Sequence, residues 1–255
     1  MRRSTAAVVL GACAIALTAC SSSDAGSATA STAAATASST TASSTTGAAA
    51  TSAASSTPLA GKDYSALSLT AADFPTGYPL QKLDASTAAI AFDGLSGNND
   101  YLKVTPPECA STNPFAGKDS LALVEAQNAD TATTVDVFVG LAGSGGLGAV
   151  ESTVGACPTV TVTSAGPNGS TASGQGTQAV LPKPTLDADS TLALSQDVTL
   201  KAPTGETLAQ TGLVVAAQLG DTVVLVSATA GNGQKLDTGL LDGLLTKAVD
   251  KVRAG

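Results

Sequence analysis

The chain contains no histidine and no tryptophan, one methionine, and only 3 tyrosines and 4 phenylalanines in 255 residues. Without histidine there is no imidazole base for a serine triad and none for a zinc shell. Basic residues are also scarce, 12 against 20 acidic, for a net charge of −8. From Lys62 to Lys201 they stand singly, and only Lys247, Lys251 and Arg253 gather, near the C-terminus. A nucleic-acid partner would need a basic patch to displace counterions from phosphates, so the composition excludes that class. Long apolar runs are missing too. The longest, Thr5 to Leu17, is about 13 residues, where crossing a hydrocarbon core takes about 20.

What is present begins with an address. Met1-Arg2-Arg3 followed by the uncharged apolar run reads as the basic and hydrophobic regions of an export signal. Leu17-Thr18-Ala19-Cys20 resembles the bacterial lipobox, which implies acylation of the Cys20 thiol, with diacylglycerol and palmitate-type chains, and cleavage after Ala19. Two acyl chains anchor stably, since each buried methylene contributes roughly 0.8 kcal/mol. Losing Arg2 and Arg3 with the signal leaves 10 basic against 20 acidic side chains. The mature surface then repels anionic headgroups, and the lipid is the expected membrane attachment.

Ser21 to Thr57 holds 13 Ala, 12 Ser, 9 Thr, 2 Gly and a single charge, Asp24. No apolar face recurs at helical spacing, and dense Ser/Thr competes for backbone hydrogen bonds, so this is expected to be a disordered linker. The expected division is a lipoprotein signal peptide over 1–19, lipidated Cys20 with its linker over 20–57, and one folded extracytoplasmic domain over 58–255.

Of the 4 cysteines, Cys13 leaves with the signal and Cys20 takes the lipid. Cys109 and Cys157 remain in a chain sent to an oxidising exterior and should form a disulfide. A two-cysteine metal site is the alternative, but no histidine is available to complete its shell. No cofactor is expected.

Within the domain, Leu121 to Gln127 and Thr133 to Leu141 read as an antiparallel hairpin, with Val135, Val137 and Val139 alternating against Asp136, Phe138 and Gly140. Leu147, Val150 and Val154 give a short helix that Pro158 ends. Thr159 to Thr163 alternates as a strand, and Ser164 to Gly176 reads as a Gly/Ser/Asn connection. Thr191 to Leu200, Thr207 to Leu219 and Thr222 to Thr229 are strand-like, the last two joined by the two-residue loop Gly220-Asp221. Val223 to Val226 is apolar on both faces, so this strand should be central. The stripe Leu236, Leu240, Leu241, Leu244, Leu245, Ala248, Val249 and Val252 makes a final helix to cover it. The fold class is α+β, an antiparallel sheet with packed helices and one disulfide, preceded by a disordered stalk.

Several chemical-looking patterns fail their own requirements. Gly143 to Gly148 matches GxGxxG, but no acid follows at the distance a ribose needs. Asp237-Thr238-Gly239 matches half of an aspartic-protease site that requires two such triplets, and it sits where a residue should cap the last helix. Asp187, Asp189 and Asp197 lack EF-hand spacing. With 20 acidic residues, carboxylate pairs stay possible, yet no spacing nominates one. An enzyme is therefore not expected.

All seven aromatics lie between Tyr64 and Phe138. They either fill one end of the core or line a cleft, for which Tyr78, Phe92, Tyr101 and Phe115 are the candidates.

Leu69-Thr70-Ala71-Ala72-Asp73-Phe74-Pro75-Thr76-Gly77-Tyr78, then Pro106-Pro107-Glu108-Cys109, a helix ending at Cys157, a Gly-Asp hairpin and a last amphipathic helix together resemble the PknH-like extracytoplasmic sensor domains of mycobacteria and their relatives, found in receptor kinases and in free-standing actinobacterial lipoproteins. The resemblance implies an antiparallel sheet flanked by helices and a cleft for an unidentified ligand. Two departures stand out: cysteines for one disulfide where that kinase's domain has two, and Val154 where a tryptophan often stands. The expected function is a non-enzymatic ligand-binding or sensor-like lipoprotein on the outer face of the cell membrane, its partner a small molecule, a lipid or a protein. The alternatives are a structural or protein-interaction lipoprotein, a lipid carrier, or a hydrolase using carboxylates alone.

Overall fold

The computed structural model describes residues 63–81, 83, 85–95, 102–165, 170–231 and 234–255, with backbone only at 85–87, 89 and 90. The signal, Cys20, the linker and Tyr101 lie outside the described residues. Helices are α1 (Tyr64–Leu67), α2 (Ala85–Gly94), α3 (Gly146–Ala156) and α4 (Thr238–Ala254). Strands are β1 (Leu80–Gln81), β2 (Leu102–Thr105), β3 (Leu121–Asn128), β4 (Thr133–Leu141), β5 (Thr159–Ala165), β6 (Thr171–Val180), β7 (Ser190–Lys201), β8 (Thr207–Leu219) and β9 (Thr222–Gly231). Among the described residues they form one antiparallel sheet of 9 strands in the order β1-β3-β4-β9-β8-β7-β6-β5-β2.

The expected α+β architecture is present, and β9 is interior as its two-sided apolar pattern requires. One face carries Val135, Val137, Val139, Val215, Val224 and Val226 against Leu241, Leu244, Leu245, Ala248 and Val249 of α4. The other carries Phe138, Leu192, Leu194, Val214, Ala216, Val223 and Leu225 against Leu147, Val150 and Val154 of α3, joined by Ala91 and Leu95. The sheet is therefore covered on both sides. A third cluster, around the Cys109–Cys157 disulfide, packs Leu102, Val104, Val160, Val162, Val198 and Leu200 at the far end of that second face.

Local chemistry explains the ends of these elements. Asp237 Oδ1 accepts from the amides of Gly239 (2.9 Å) and Leu240 (3.3 Å), so the protease-like triplet is a helix cap. Leu236 and Leu241, on either side of that cap, are both buried in the same cluster and staple the entry of the chain into α4. The GxGxxG segment turns the chain from β4 into α3, with Gly146 at φ +49°. The flanking strands are antiparallel, which is not the βαβ unit a dinucleotide loop serves. Asp187 meets Arg253, Asp189 accepts from the Gly220 amide, and Asp197 accepts from Thr211, so these three do not converge.

The structure departs from the sequence expectation at β6. The presumed Gly/Ser/Asn connection, Ser164 to Gly176, holds the first six residues of a ten-residue strand paired on both sides, and one of its glycines is there because neighbouring backbone leaves no room for a side chain. Gly174 makes this plain: a Cβ on it would stand 1.8 Å from the Thr199 carbonyl oxygen.

Segment 63–74 is tied to α4 by polar contacts. Lys251 Nζ lies 2.9 Å from Asp73 Oδ2 and donates to the Ser68 carbonyl at 3.0 Å, while Lys247 donates to the Asp73 carbonyl. The Thr70 amide, foremost, and Lys251 together hold the Asp73 carboxyl down to about 2. Because its native pKa lies below its unfolded one, Asp73 stabilises the fold above pH about 4, and that contribution is lost as the pH falls toward 2. Urea unfolding midpoints should therefore drop between pH 4 and 2 more steeply in the wild type than in Asp73→Asn. Parallel midpoints would remove Asp73 from the acid limb.

Candidate functional site

Alternation along β4 places Asp136 on the same face as Phe138, the face under α2 and α3. Cross-strand register then aligns a polar row: Gln81, Glu125, Asp136 and Ser227 sit opposite one another on β1, β3, β4 and β9. A second row runs alongside through Gln127, Thr134, Thr229, Gly212, Gln196 and Gln178. Glu125, Thr134, Asp136, Gln178, Gln196, Ser227 and Thr229 are all buried. They form a polar floor between two apolar clusters, one under α3 and one around the disulfide.

Interior strands covered on both faces ordinarily carry apolar side chains there. The other face of the same strands follows that rule, with Val135, Val137, Val226, Ala228 and Ala230. The floor does not. Asp136 and Ser227 are each 0% exposed, and Asp136 Oδ1, Asp136 Oδ2 and Ser227 Oγ have no hydrogen-bond partner. A buried polar group left unsatisfied costs about 1–3 kcal/mol. Tyr64 Oη and Ser111 Oγ are also without partners, but Tyr64 belongs to the core under α4 and Ser111 to the loop beyond Cys109. At Asp136 three such atoms meet across one strand pair.

Burial lifts the Asp136 carboxyl well above the ordinary aspartate range, and Glu125 beside it pushes the same way. The Ser227 hydroxyl offsets part of the shift by proximity, without the alignment of a hydrogen bond. Burial raises Glu125 as well. The native fold therefore holds a proton at Asp136 that the unfolded chain releases above pH about 4. Wild-type stability should fall relative to Asp136→Asn as the pH rises from 4, by up to about 1.4 kcal/mol per pH unit until Asp136 ionises in the native state. Urea titrations of both proteins from pH 4 to 8 measure the gap. A constant gap would mean that Asp136 is not protonated in the fold.

The aromatic cleft residues are not gathered into one place. Tyr78 packs against the cluster under α4, whereas Phe115 is buried in the cluster under α3 and Phe92 packs against it. Phe115 and Phe138 have ring centroids 6.1 Å apart and fill core. Cys109 and Cys157 are bonded, with Cα atoms 5.6 Å apart, and join the turn after β2 to the end of α3. Gln178 Nε2 donates to the Cys157 carbonyl at 2.7 Å, linking the disulfide end of the sheet to the floor. The floor itself went unread because β4 looked one-sided. Its signal was an aspartate in strand alternation with Phe138, opposite strands that also carry buried Ser, Thr and Gln.

Among the described residues no cluster of three His, Cys, Asp or Glu could hold a metal ion, and no helix is long and apolar enough to cross a membrane. No protein-family model matches the sequence, and no curated protein matches it. The solved structures that resemble the chain include two from mycobacteria. One is an uncharacterised Mycobacterium smegmatis protein, the Rv0999 ortholog, at 17% identity and a TM-score of 0.40, covering 71% of this chain and 92% of that one. The other is the extracellular domain of PknH from Mycobacterium tuberculosis, at 18% identity and a TM-score of 0.38, covering 68% and 93% respectively. Both are mycobacterial, and the second is the kinase whose sensor domain the order of segments resembles.

Proposed function

We propose that the chain is a lipid-anchored, extracytoplasmic lipoprotein whose folded domain binds a small polar ligand at the floor around Asp136, without catalysis. The observation that carries this reading is the set of three unsatisfied oxygens at Asp136 and Ser227. The lipobox-like Leu17 to Cys20 supports the anchor, and the Cys109–Cys157 bond supports an oxidising compartment. Because the floor is covered, ligand entry requires its cover to move, which would couple binding to a change in shape.

Two alternatives weaken. Protein docking would use an exposed apolar patch. Among the described residues, the large exposed hydrophobics are Val180 and Leu208, opposite Leu194 and Leu200 at separate ends of β7. Carboxylate-only hydrolysis finds a pair in Glu125 and Asp136, but both side chains are buried, whereas such chemistry needs room for a water between the two carboxyl groups.

The test uses the full chain carrying Cys20→Ala, which should leave the membrane fraction and remain folded. A thermal-shift screen on it against small polar envelope metabolites, sugars and amino compounds should give stabilisers whose effect disappears in Asp136→Asn. Retention in the membrane would overturn the anchor. A folded protein without any Asp136-dependent stabiliser would overturn the ligand site.

A further inference from the structure

The floor offers three acceptor atoms and no cation. Asp136 Oδ1, Asp136 Oδ2 and Ser227 Oγ are buried without partners, and Glu125 lies next in register on the other side of Asp136. Among the described residues, Lys183, Lys251 and Arg253 engage Glu151, Asp73 and Asp187. Lys247 bonds the Asp73 carbonyl, and Lys103, Lys118, Lys201 and Lys235 are exposed. We propose that this floor binds a primary ammonium group, its three N–H donors directed to Asp136 Oδ1, Asp136 Oδ2 and Ser227 Oγ. This rests on the reading of the floor as the ligand site and names what the ligand must carry.

The donor count distinguishes the candidates. An ammonium presents three donors on a compact charge, matching three acceptors, whereas a guanidinium presents five in a planar fork and would leave donors unmet. A divalent metal would need more charged ligands than this site has, given that no three His, Cys, Asp or Glu cluster among the described residues. The ligand class is therefore a small primary amine.

Charge balance gives the proposal a second signature. In the empty site Asp136 carries a proton, since burial and Glu125 oppose ionisation, and Glu125 is the other titratable group facing it among the described residues. When the amine enters, the Asp136 O–H bond breaks, the proton leaves to solvent, and a carboxylate–ammonium pair forms. The site gains one positive charge on the ligand and one negative charge on Asp136, so its net charge is unchanged.

The experiment is calorimetry on the detergent-solubilised full chain with ethanolamine and glucosamine as probes, in phosphate and in HEPES. Glucose, tetramethylammonium and calcium chloride serve as comparisons. Both amines should bind at millimolar concentration, with an enthalpy that differs between buffers by the release of about one proton and an affinity that rises about tenfold per pH unit below the Asp136 pKa. Asp136→Asn should abolish binding. Ser227→Ala, which keeps the carboxyl, should weaken binding by about 10-fold or more through loss of one charge-assisted hydrogen bond, and keeps the test decisive if Asp136→Asn fails to fold. Equal binding of tetramethylammonium, which has no N–H, would overturn the three-donor geometry, and calcium binding without amine binding would overturn the ligand class. Binding of glucose alone, dependent on Asp136, would overturn the ammonium while leaving the ligand site standing. No binding by any probe, with Asp136→Asn simply more stable, would overturn both.

Discussion

The double variant Cys109→Ala, Cys157→Ala unfolds with a loss of about 4 kcal/mol, the chain-entropy value for a loop of this length, set by a sequence separation of 48. For a domain of this size that corresponds to roughly 8–16 °C in Tm. The bond joins two pieces of chain that are otherwise weakly held. The turn Pro107–Cys109 follows β2, a strand of 4 residues paired along one side to β5, and Cys157 ends α3. Without the bond, the apolar side chains of β2 would keep their contacts with Val160 and Val162 but lose their covalent tie to the helix. Alanine rather than serine avoids placing a hydroxyl among these buried side chains. Thermal melts of the variant, and of the wild type with and without reductant, measure the effect. A shift below about 2 °C would mean that sheet pairing alone holds β2 in place.

Gly174→Ala costs about 3 kcal/mol, near the upper end for overpacking, while Gly176→Ala in the same strand costs about 1 kcal/mol or less. The two share residue type, strand and loss of a glycine from the unfolded chain, so that term cancels. They differ in what a Cβ would meet. At Gly174 it would lie 1.8 Å from the Thr199 carbonyl oxygen and 2.9 Å from Leu200 Cα, which cannot move without opening the β6–β7 pairing. At Gly176 the nearest atom is Val160 Cγ2 at 3.1 Å, a side-chain methyl that can shift. Denaturant midpoints of both variants test the contrast. Equal losses would mean that glycine content, not steric approach, sets the requirement in β6.

The parts of the fold legible beforehand were those whose side chains state their surroundings. β8 and β9 carry apolar runs, Leu213 to Ala217 and Val223 to Val226, on either side of Gly220, which has φ +59° in the hairpin turn. The leucine stripe of α4 announces the face it buries, and Asp237 announces where the helix starts. β6 was hidden because glycine ordinarily signals a turn, whereas Gly174 answers a contact with β7 that local sequence does not contain. β1 and β2 are too short for a period to show, and α2, rich in small residues, has no pronounced apolar stripe. The candidate site was obscured for a related reason. Asp136 between valines looks like the wet side of an amphipathic strand, and only the tertiary fold, in which its strand neighbour Phe138 packs with Leu147, Ala91 and Leu95, makes that side an interior.

The strand order has a consequence for crowding. Under the lipid anchoring proposed above, the domain would share a thin layer with its copies, and an open sheet edge in that layer would template strand pairing between neighbours. Here, among the described residues, the outermost strands are β1, with 2 residues, and β2, with 4, while the strands of 12 and 13 residues lie inside. β2 has Lys103 pointing outward, and Pro106, which has no amide hydrogen to offer, follows it directly. On the β2 side the broad sheet thus ends in a strand too short and too poorly equipped to recruit another chain, whereas on the other side β1 covers only Glu125 and Ala126 and leaves the rest of β3 as the outer strand among the described residues.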